Sequence, residues 1–227
     1  MIRSFLMGLG VMLVVMIALT AISPKTTTAA VTIPNPVVDD PLAATKGQQT
    51  VVFAGGCFWG IQAVFQHVKG VTSATAGYSG GTVKNPDYEE VSSGATGHAE
   101  SVKVVYDPSQ ITFGQLLKVF FSVAHDPTQL DRQGPDSGTQ YRSAIFFSND
   151  NQKRIAKAYI DQLNQAKVYP RPIVTEVTSF SAFYAAEDYH QDYLVKHPYN
   201  PYIVVNDQPK LTALQKQCPD LYRDRTK

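Results

Sequence analysis

One cysteine of this chain has the setting of a nucleophile, in the segment 56–60 that reads GCFWG. Residues 50–54 before it are apolar and β-branched, which predicts a buried strand, and residues 61–68 have the apolar spacing of a helix. Cys57 is therefore predicted to lie where a strand ends and a helix begins. Because a helix N-terminus favours a thiolate over a thiol, we expect a lowered pKa at Cys57. The alternative is a buried cysteine that acts only as a small core hydrophobe.

Two aromatic side chains, Phe58 and Trp59, follow this cysteine directly. We expect them to line an apolar pocket beside the sulfur, with ordinary core packing as the alternative. Cys218 is the only other cysteine, and it follows a proline-containing turn over residues 198–201. We expect it to lie in an exposed, flexible tail from which it could reach Cys57. A structural Cys57–Cys218 disulfide that staples a secreted binding domain is a competing hypothesis.

The composition excludes several classes of function. The chain has 227 residues with 44% hydrophobic content, which suits one globular domain with appendages. Its formal net charge of +1 and its lack of a basic run argue against nucleic-acid binding. Neither the G-x-x-x-x-G-K-[ST] nor the G-x-G-x-x-G phosphate-binding pattern occurs. We expect a monomer that needs no cofactor and binds no nucleic acid.

The first 30 residues differ from the rest of the chain. Arg3 precedes an apolar run over residues 5–22, and small residues follow it at 26–30. This order predicts an export signal peptide or, because about 20 apolar residues can span a bilayer, an uncleaved membrane anchor. Both alternatives place the domain in the periplasm or otherwise outside the cytoplasm, since Arg3 favours an inside N-terminus.

Further along the chain, strand-like and helix-like segments are mixed. Thr112 and Gln115 form a capping-box pattern before a predicted helix over 116–121. The other predicted elements are strands over 100–106, 141–147 and 172–177, and helices over 148–166, 187–196 and 209–219. This mixture predicts an α+β fold, a two-layer α/β sandwich with a mixed central sheet.

The same sequence patterns divide the chain into four parts. Residues 1–30 are the signal or anchor segment, and residues 31–49 are predicted to be a linker because they hold three prolines and little periodicity. The catalytic domain is predicted over 50–205. A C-terminal tail over 206–227 carries Cys218.

Six sequence blocks together resemble the A-type peptide methionine sulfoxide reductases. The first is GCFWG itself, and the others read GYSGG with NPDY at 77–88, GHAE at 97–100, HDP at 125–127, DSGTQYRS at 136–143 and AEDYHQ at 186–191. They occur in the family's order over residues 51 to about 202. The resemblance implies the same α+β sandwich, and reduction of methionine S-sulfoxide, free or in proteins, through a sulfenic acid on Cys57.

The resemblance also implies roles for particular residues. It makes Cys57 the nucleophile and Glu100 the acid that protonates the departing oxygen. The implied oxygen donors are Tyr88 and Tyr141, the implied lining of the methyl pocket is Phe58 and Trp59, and Asp136 is implied to orient the substrate. Protein repair under oxidative stress and a thioredoxin-like reductant follow from the same resemblance.

The chain departs from a common family pattern near its C-terminus. Many members carry a second, resolving cysteine in a Gly-Tyr-Cys segment, where this chain has residues 201–203, PYI. Cys218 is either a relocated resolving thiol or incidental. Another thiol chemistry, that of a peroxidase or a cysteine amidase, is a competing hypothesis. A zinc site of the H-x-E type at His98 is rejected, because it would also need a C-x-x-C pair.

Overall fold

A computed structural model describes residues 33–224. At its centre lies a six-stranded sheet in the order β7–β6–β1–β3–β2–β8. The strands are β1 Gln49–Gly55, β2 Val71–Ser79, β3 Ala99–Tyr106, β6 Ser143–Phe147, β7 Glu176–Ser179 and β8 Phe183–Ala185, with β4 Arg132–Gln133 and β5 Asp136–Ser137 in a separate hairpin. Only the β6–β7 pair of the six-stranded sheet is parallel, so the sheet is mixed.

Residues 33–224 contain six α-helices, four between strands and two after β8. They are α1 Phe58–Gln66, α2 Tyr88–Ser92, α3 Phe113–Val119, α4 Asp150–Gln165, α5 Tyr193–Lys196 and α6 Gln208–Gln217. A π-helical turn over Phe120–Ala124 extends α3, and a second one over Ile203–Asp207 precedes α6. A 3-10 turn over Thr139–Tyr141 precedes β6. Within residues 33–224 no helix is both long and apolar enough to cross a membrane.

The central strand β1 is buried on both faces, which explains its continuous apolar sequence. On one face, Phe53 stacks on Phe65 of α1 and on Phe120, with ring centroids 5.0 Å and 4.7 Å apart. On the other face, Val52 and Ala54 join a smaller apolar cluster. The large core therefore lies between the sheet and one layer of helices, which confirms the predicted two-layer α/β sandwich with a mixed sheet.

Several predicted elements occur with shifted ends. The Thr112–Gln115 capping box forms with both of its hydrogen bonds. The helix predicted over 187–196 is wrong in its first half, because only α5 is helical there. Before α5 the chain forms turns, and the Gln191 side chain bonds both the backbone N–H and the carbonyl of Ala76 in β2. These side-chain bonds hold the turns against the sheet.

The sequence pattern does not predict β2. Its residues read VTSATAGYS, and small and polar side chains weaken the usual strand signal. Pairing with β3 along its length supplies the backbone hydrogen bonds that form the strand.

Residues 33–48, predicted to belong to a linker, lie against the domain. Ile33 is 3% exposed within the main core. Asp39 accepts a hydrogen bond from the Gly114 backbone N–H, at 2.9 Å, and another from the Thr112 hydroxyl. This segment therefore helps to cap α3. The predicted signal or anchor, residues 1–30, lies outside the described residues.

The C-terminal segment packs onto the domain, and the prediction of an exposed tail is wrong. Leu214 is fully buried and Cys218 is 5% exposed. The backbone N–H of Lys69 donates to the Leu221 carbonyl over 2.7 Å, which ties the segment after α6 to the end of α1. The apolar side chains of α6 form part of the same core as α1, so the segment is folded rather than loose.

Candidate active site

Cys57 lies between β1 and α1 and is the N-cap residue of α1, as the sequence predicts. Gly56 before it has φ +93°, a conformation that favours glycine. A methyl group on Gly56 would also meet the Gln133 side chain at 2.5 Å, so the β4–β5 hairpin lies close against this turn. The Cys57 side chain is 8% exposed. The turn thus holds one buried sulfur close to the hairpin.

Glu100 lies beside this sulfur. It is 3% exposed, near the start of β3, and its Oε2 accepts a hydrogen bond of 3.0 Å from the backbone N–H of Phe58. Burial raises the pKa of the Glu100 carboxyl to about 8, against the lowering effect of that hydrogen bond. A carboxyl with this pKa holds a proton at neutral pH, as a general acid must.

The pKa of Cys57 moves opposite to the sequence-based expectation. Burial raises the pKa of the Cys57 thiol well above its ordinary value, and the charges of Glu100 and Asp207 add to the rise. The backbone N–H of Trp59 and the charge of Lys210 lower it, but less. A helix N-terminus is worth only about 0.3–1 kcal/mol at an exposed site, which burial outweighs. In the resting site the thiol is therefore protonated.

Tyr88 and Tyr141 are brought to the same site from different elements. Tyr88 begins α2, and its backbone N–H donates to Glu187 Oε1 over 2.9 Å. Burial, followed by the charges of Glu100 and Cys57, raises the pKa of Tyr88 to about 12. Burial, Glu100, Tyr88 and Asp136 raise the pKa of Tyr141 further, with a contribution from Cys57. Both hydroxyls therefore stay protonated and can donate hydrogen bonds.

The two residues predicted to line a methyl pocket lie among other aromatic rings. Trp59 stacks on Tyr193 with centroids 3.7 Å apart and meets Tyr202 edge-on at 5.9 Å. Phe58 lies in the core with its ring centroid 5.1 Å from that of His190. The structure thus places both predicted residues, Phe58 and Trp59, in one aromatic cluster beside Cys57.

Asp136, predicted to orient the substrate, begins β5 in the hairpin that lies near Cys57. Its Oδ2 accepts a hydrogen bond from the Tyr202 hydroxyl. Asp136 also acts on the carboxyl of Glu100, whose pKa it helps to raise. The carboxylate therefore belongs to the same cluster of charges and aromatic rings.

Sequence reasoning gave no site role to His190, Tyr202, Asp207 or Lys210, although the structure places all of them at this cluster. Trp59 Nε1–H donates to His190 Nδ1 over 3.1 Å, so the proton of the neutral ring is on Nε2, which has no partner within residues 33–224. The AEDYHQ block was the one signal for His190 in the sequence. The other three residues lie in a segment whose pattern indicates only a turn and a helix.

The remaining block histidines serve structural hydrogen bonds. His98 Nδ1 accepts from the Gly81 backbone N–H, and its Nε2 lies 2.7 Å from the Val83 carbonyl. His125 bonds a backbone carbonyl and, over 2.6 Å, the Ser143 hydroxyl. Both rings are therefore held by hydrogen bonds within the fold, and the absence of a catalytic role for these histidines stays a prediction.

Cys218 lies in different surroundings. It is the C-cap residue of α6, its nearest polar partner is the Ser122 hydroxyl at 3.9 Å, and both it and Cys57 are free thiols. The alternative of a structural disulfide between them is therefore not favoured. Whether Cys218 resolves a sulfenic acid stays a prediction.

Comparison with known proteins identifies the family. The model of the family described as "Peptide methionine sulfoxide reductase" matches residues 49–221. The chain belongs to this family. It is 60% identical to Peptide methionine sulfoxide reductase MsrA 2 of Mesorhizobium japonicum over 182 residues, which cover 80% of this chain and 93% of that protein. It is 54% identical to MsrA 2 of Synechocystis over 190 residues, or 83% of this chain and 89% of that one.

Solved reductase structures resemble the fold. The methionine sulfoxide reductase A of Corynebacterium diphtheriae is 40% identical with a TM-score of 0.59, over 70% of this chain and 80% of that one. Reduced Mxr1 of Saccharomyces cerevisiae is 31% identical with a TM-score of 0.61, over 70% of this chain and 94% of that one. The mixed sheet with helices is thus the architecture of the reductase family.

Proposed function

We propose that this chain carries out the reaction of its family, the thiol-dependent reduction of methionine S-sulfoxide to methionine, at Cys57. The observation that supports this most directly is the pairing of one thiol with a buried carboxyl whose pKa is raised to about 8. The substrate is methionine sulfoxide, free or in oxidised proteins, and the enzyme is a peptide-methionine (S)-S-oxide reductase that repairs them. The competing peroxidase and amidase chemistries have no comparable support.

The chemical step transfers one oxygen atom. The Cys57 sulfur attacks the sulfoxide sulfur and forms an S–S bond, and the S–O bond of the substrate breaks as its oxygen is protonated. The oxygen then bonds to the Cys57 sulfur while the S–S bond breaks and its electron pair goes to the methionine sulfur, which leaves a sulfenic acid on Cys57. The sulfoxide sulfur is reduced, the cysteine sulfur is oxidised, and methionine leaves. Because the resting thiol is protonated, it must lose its proton before or during the attack.

Glu100 is the group that donates the proton. Its protonated carboxyl gives a proton to the sulfoxide oxygen as the S–O bond weakens. Once Glu100 shares its proton with that oxygen, the ionisation of the Cys57 thiol and that of the Glu100 carboxyl are coupled. The two observed pKa values then describe the pair rather than either group alone.

Tyr88 and Tyr141 hold the oxygen. Their pKa values are raised by burial and by the neighbouring Glu100, so both are donors at any working pH. Donors fixed in a site with little water stabilise developing negative charge without having to reorganise. Phe58 and Trp59 receive the methyl group, and Asp136, held by Tyr202, orients the rest of the substrate.

A thiol must then reduce the sulfenic acid. A thioredoxin-like protein is the proposed physiological reductant, and Cys218 is a candidate to form a disulfide with Cys57 first. The predicted export signal or anchor over residues 1–30 supports a location outside the cytoplasm, and we propose that the reductant acts on that side of the membrane.

The decisive experiment is anaerobic turnover of the two methionine sulfoxide epimers by the purified protein with dithiothreitol. Methionine should form from the S epimer at sulfur and not from the R epimer. Equal rates for both epimers, or reduction of a peroxide in preference to the sulfoxide, would reject the proposal.

A further inference from the structure

A buried ion pair that the reaction described so far does not use lies beside the site. Asp207 ends the π-helical turn before α6 and has no exposed surface. Its Oδ1 lies 3.1 Å from Lys210 Nζ, whose side chain is 17% exposed. The other carboxylate oxygen, Oδ2, has no hydrogen-bond partner within residues 33–224. A buried charge pair is costly to desolvate and is weak evidence of a purely stabilising role.

This pair touches the helix that begins at Cys57. A methyl group on Gly60 would lie 2.1 Å from Asp207 Oδ1 and 2.8 Å from Lys210 Nζ. Gly60 is in the first turn of α1, three residues after Cys57, so the two residues share one face of the helix. The last glycine of GCFWG is therefore required by the close approach of the ion pair.

We propose that Asp207 and Lys210 are positioning residues that set the charge around the Cys57 sulfur. Lys210 stabilises the attacking thiolate, and Asp207 holds the Lys210 ammonium group in place and weakens its effect on the thiolate. This role deepens the proposed function and depends on it. It concerns a segment, residues 203–210, that follows the family's sequence blocks.

The two charges have opposite effects on the thiol. Lys210 lowers the pKa of Cys57, whereas Asp207 raises it. Burial and Lys210 act against each other on Asp207 itself, whose pKa is raised. A cation beside the helix start adds to the favourable field of the helix N-terminus.

Besides the ion pair, a carboxyl and three tyrosine hydroxyls interact with the charge of Cys57. Glu100 on β3 raises its pKa. Tyr88, Tyr141 and Tyr202 interact with the Cys57 charge, and the pKa of each is raised, so none of them ionises near neutral pH. Among these groups Lys210 carries the positive charge that opposes the two carboxyls.

An intermediate thiolate pKa has a chemical advantage. A thiolate of very low pKa is a weaker nucleophile, and one of very high pKa is scarce at neutral pH. Asp207 prevents Lys210 from lowering the pKa too far, and Lys210 prevents the carboxyls from suppressing the thiolate. The pair therefore adjusts the reactivity of Cys57 without touching the substrate.

The test measures the pH midpoint of Cys57 ionisation in the full chain. All variants carry Cys218→Ser, so that only one cysteine titrates, and ionisation is followed by the ultraviolet absorbance of the thiolate and by alkylation with iodoacetamide. The curves are repeated with Glu100→Gln, because the Glu100 carboxyl titrates in the same range. Asp207→Asn keeps the shape of the side chain and is the main variant.

Asp207→Asn should lower the midpoint by about half a unit or more, since Lys210 then acts unopposed. This shift corresponds to at least about threefold faster alkylation at a pH below the midpoint. Lys210→Met should raise the midpoint or leave it unchanged, because Asp207 can then take up a proton. The double variant should titrate close to the parent protein, and Lys210→Arg should do so as well.

Lys216→Met is the matched control, since Lys216 is exposed on the same helix. It should leave the midpoint unchanged. A shift below about 0.2 unit in Asp207→Asn, or a shift of the same sign in Asp207→Asn and Lys210→Met, would overturn the proposal. If Lys210→Met does not fold, Asp207→Asn and Lys210→Arg decide the question.

Thiol ionisation is measured without any sulfoxide, so this test can fail or succeed separately from the proposed function. A parent protein that reduces neither epimer would reject the reductase assignment whatever the midpoints are. Normal methionine release together with unchanged midpoints would reject only the role of the ion pair.

Discussion

The two cysteines occupy opposite ends of two helices, and both are buried. Cys57 is the N-cap of α1 and Cys218 the C-cap of α6, with exposures of 8% and 5%. Burial is the largest cause of the raised pKa at each thiol. Burial alone therefore does not distinguish the proposed nucleophile from the other thiol of this protein.

What differs is the set of groups beside each sulfur. Cys57 has a buried acid, Glu100, a cation, Lys210, and tyrosine hydroxyls that interact with its charge. Cys218 has the Ser122 hydroxyl and the charge of Lys118, both of which lower its pKa less than burial raises it. A helix C-terminus also disfavours a thiolate. Proton donors and charges near the sulfur, rather than burial, therefore distinguish Cys57 from Cys218.

The largest expected effect separates the two cysteines outright. Cys57→Ser should abolish methionine release in a single turnover, because serine oxygen cannot take the place of the sulfur nucleophile. Cys218→Ser is the matched control and should still release one methionine per enzyme. Circular dichroism checks that both variants are folded. Near-normal single-turnover activity in folded Cys57→Ser would show that Cys57 is not the nucleophile.

The next effect concerns the acid that Cys57 has and Cys218 lacks. Glu100→Gln should slow the single-turnover rate by about 10²–10⁴-fold, the usual worth of general acid catalysis. Glu89→Gln, on the exposed face of α2, is the control and should have no effect. A Glu100→Gln rate within about twofold of the parent would leave Glu100 without a catalytic part, since that is only about 0.4 kcal/mol.

The same carboxyl gives a pH dependence with a definite sign. Oxygen transfer needs the Cys57 thiolate together with the protonated Glu100 carboxyl, and burial raises the pKa of the thiol well above its ordinary value. The single-turnover rate should therefore rise with pH below about 8 as the thiol ionises, and should stop rising near pH 8, where Glu100 loses its proton. Folding stability should also depend on pH, because the pKa of Glu100 in the folded protein lies above its ordinary value of 4.5. The contribution of this carboxyl to the free energy of unfolding is full below pH 4.5 and is lost as the pH rises towards about 8. Denaturant unfolding should show this loss, and Glu100→Gln should remove it.

A smaller effect is expected at the oxygen donors. Tyr88→Phe removes one donor and should slow the single-turnover rate by about 10–100-fold, less than an isolated donor can be worth because Tyr141 remains. Tyr199→Phe, at a side chain that is 91% exposed, is the control. An unchanged rate in Tyr88→Phe would show that the oxygen is held by other groups.

Part of this site could be predicted from the sequence and part could not. The strand and helix around Cys57 follow from local apolar patterns, and the capping box at Thr112 follows from short-range side-chain chemistry. The direction of the Cys57 pKa shift could not be predicted, because it depends first on the burial of the thiol and then on Glu100 and Asp207, which come from distant parts of the chain. Local rules describe the helix end but not its burial.

The C-terminal segment shows the same limit. Its prolines and polar residues indicate a tail, yet Leu214 and Cys218 enter the main core. Asp207 and Lys210 have the three-residue spacing of an ordinary solvated helix pair, but in the fold Asp207 is fully buried and the pair lies against Gly60.

The smallest effect on the chemical step is expected at Cys218 itself. Cys218→Ser should leave the single-turnover rate within about twofold of the parent, because Cys218 does not take part in oxygen transfer. Recycling is a separate matter. If Cys218 forms a transient disulfide with Cys57, the variant should stall with thioredoxin, which exchanges best with a disulfide, and should still cycle with dithiothreitol.

Thiol titration sharpens this last prediction. Since Cys218 is 5% exposed, disulfide formation would require local opening of the segment around α6 once Cys57 is oxidised. The parent protein should then lose both titratable thiols after one equivalent of sulfoxide, and proteolysis should become faster after α6. One thiol that stays titratable, with normal thioredoxin cycling of Cys218→Ser, would show that Cys57 works alone and that Cys218 is a core residue.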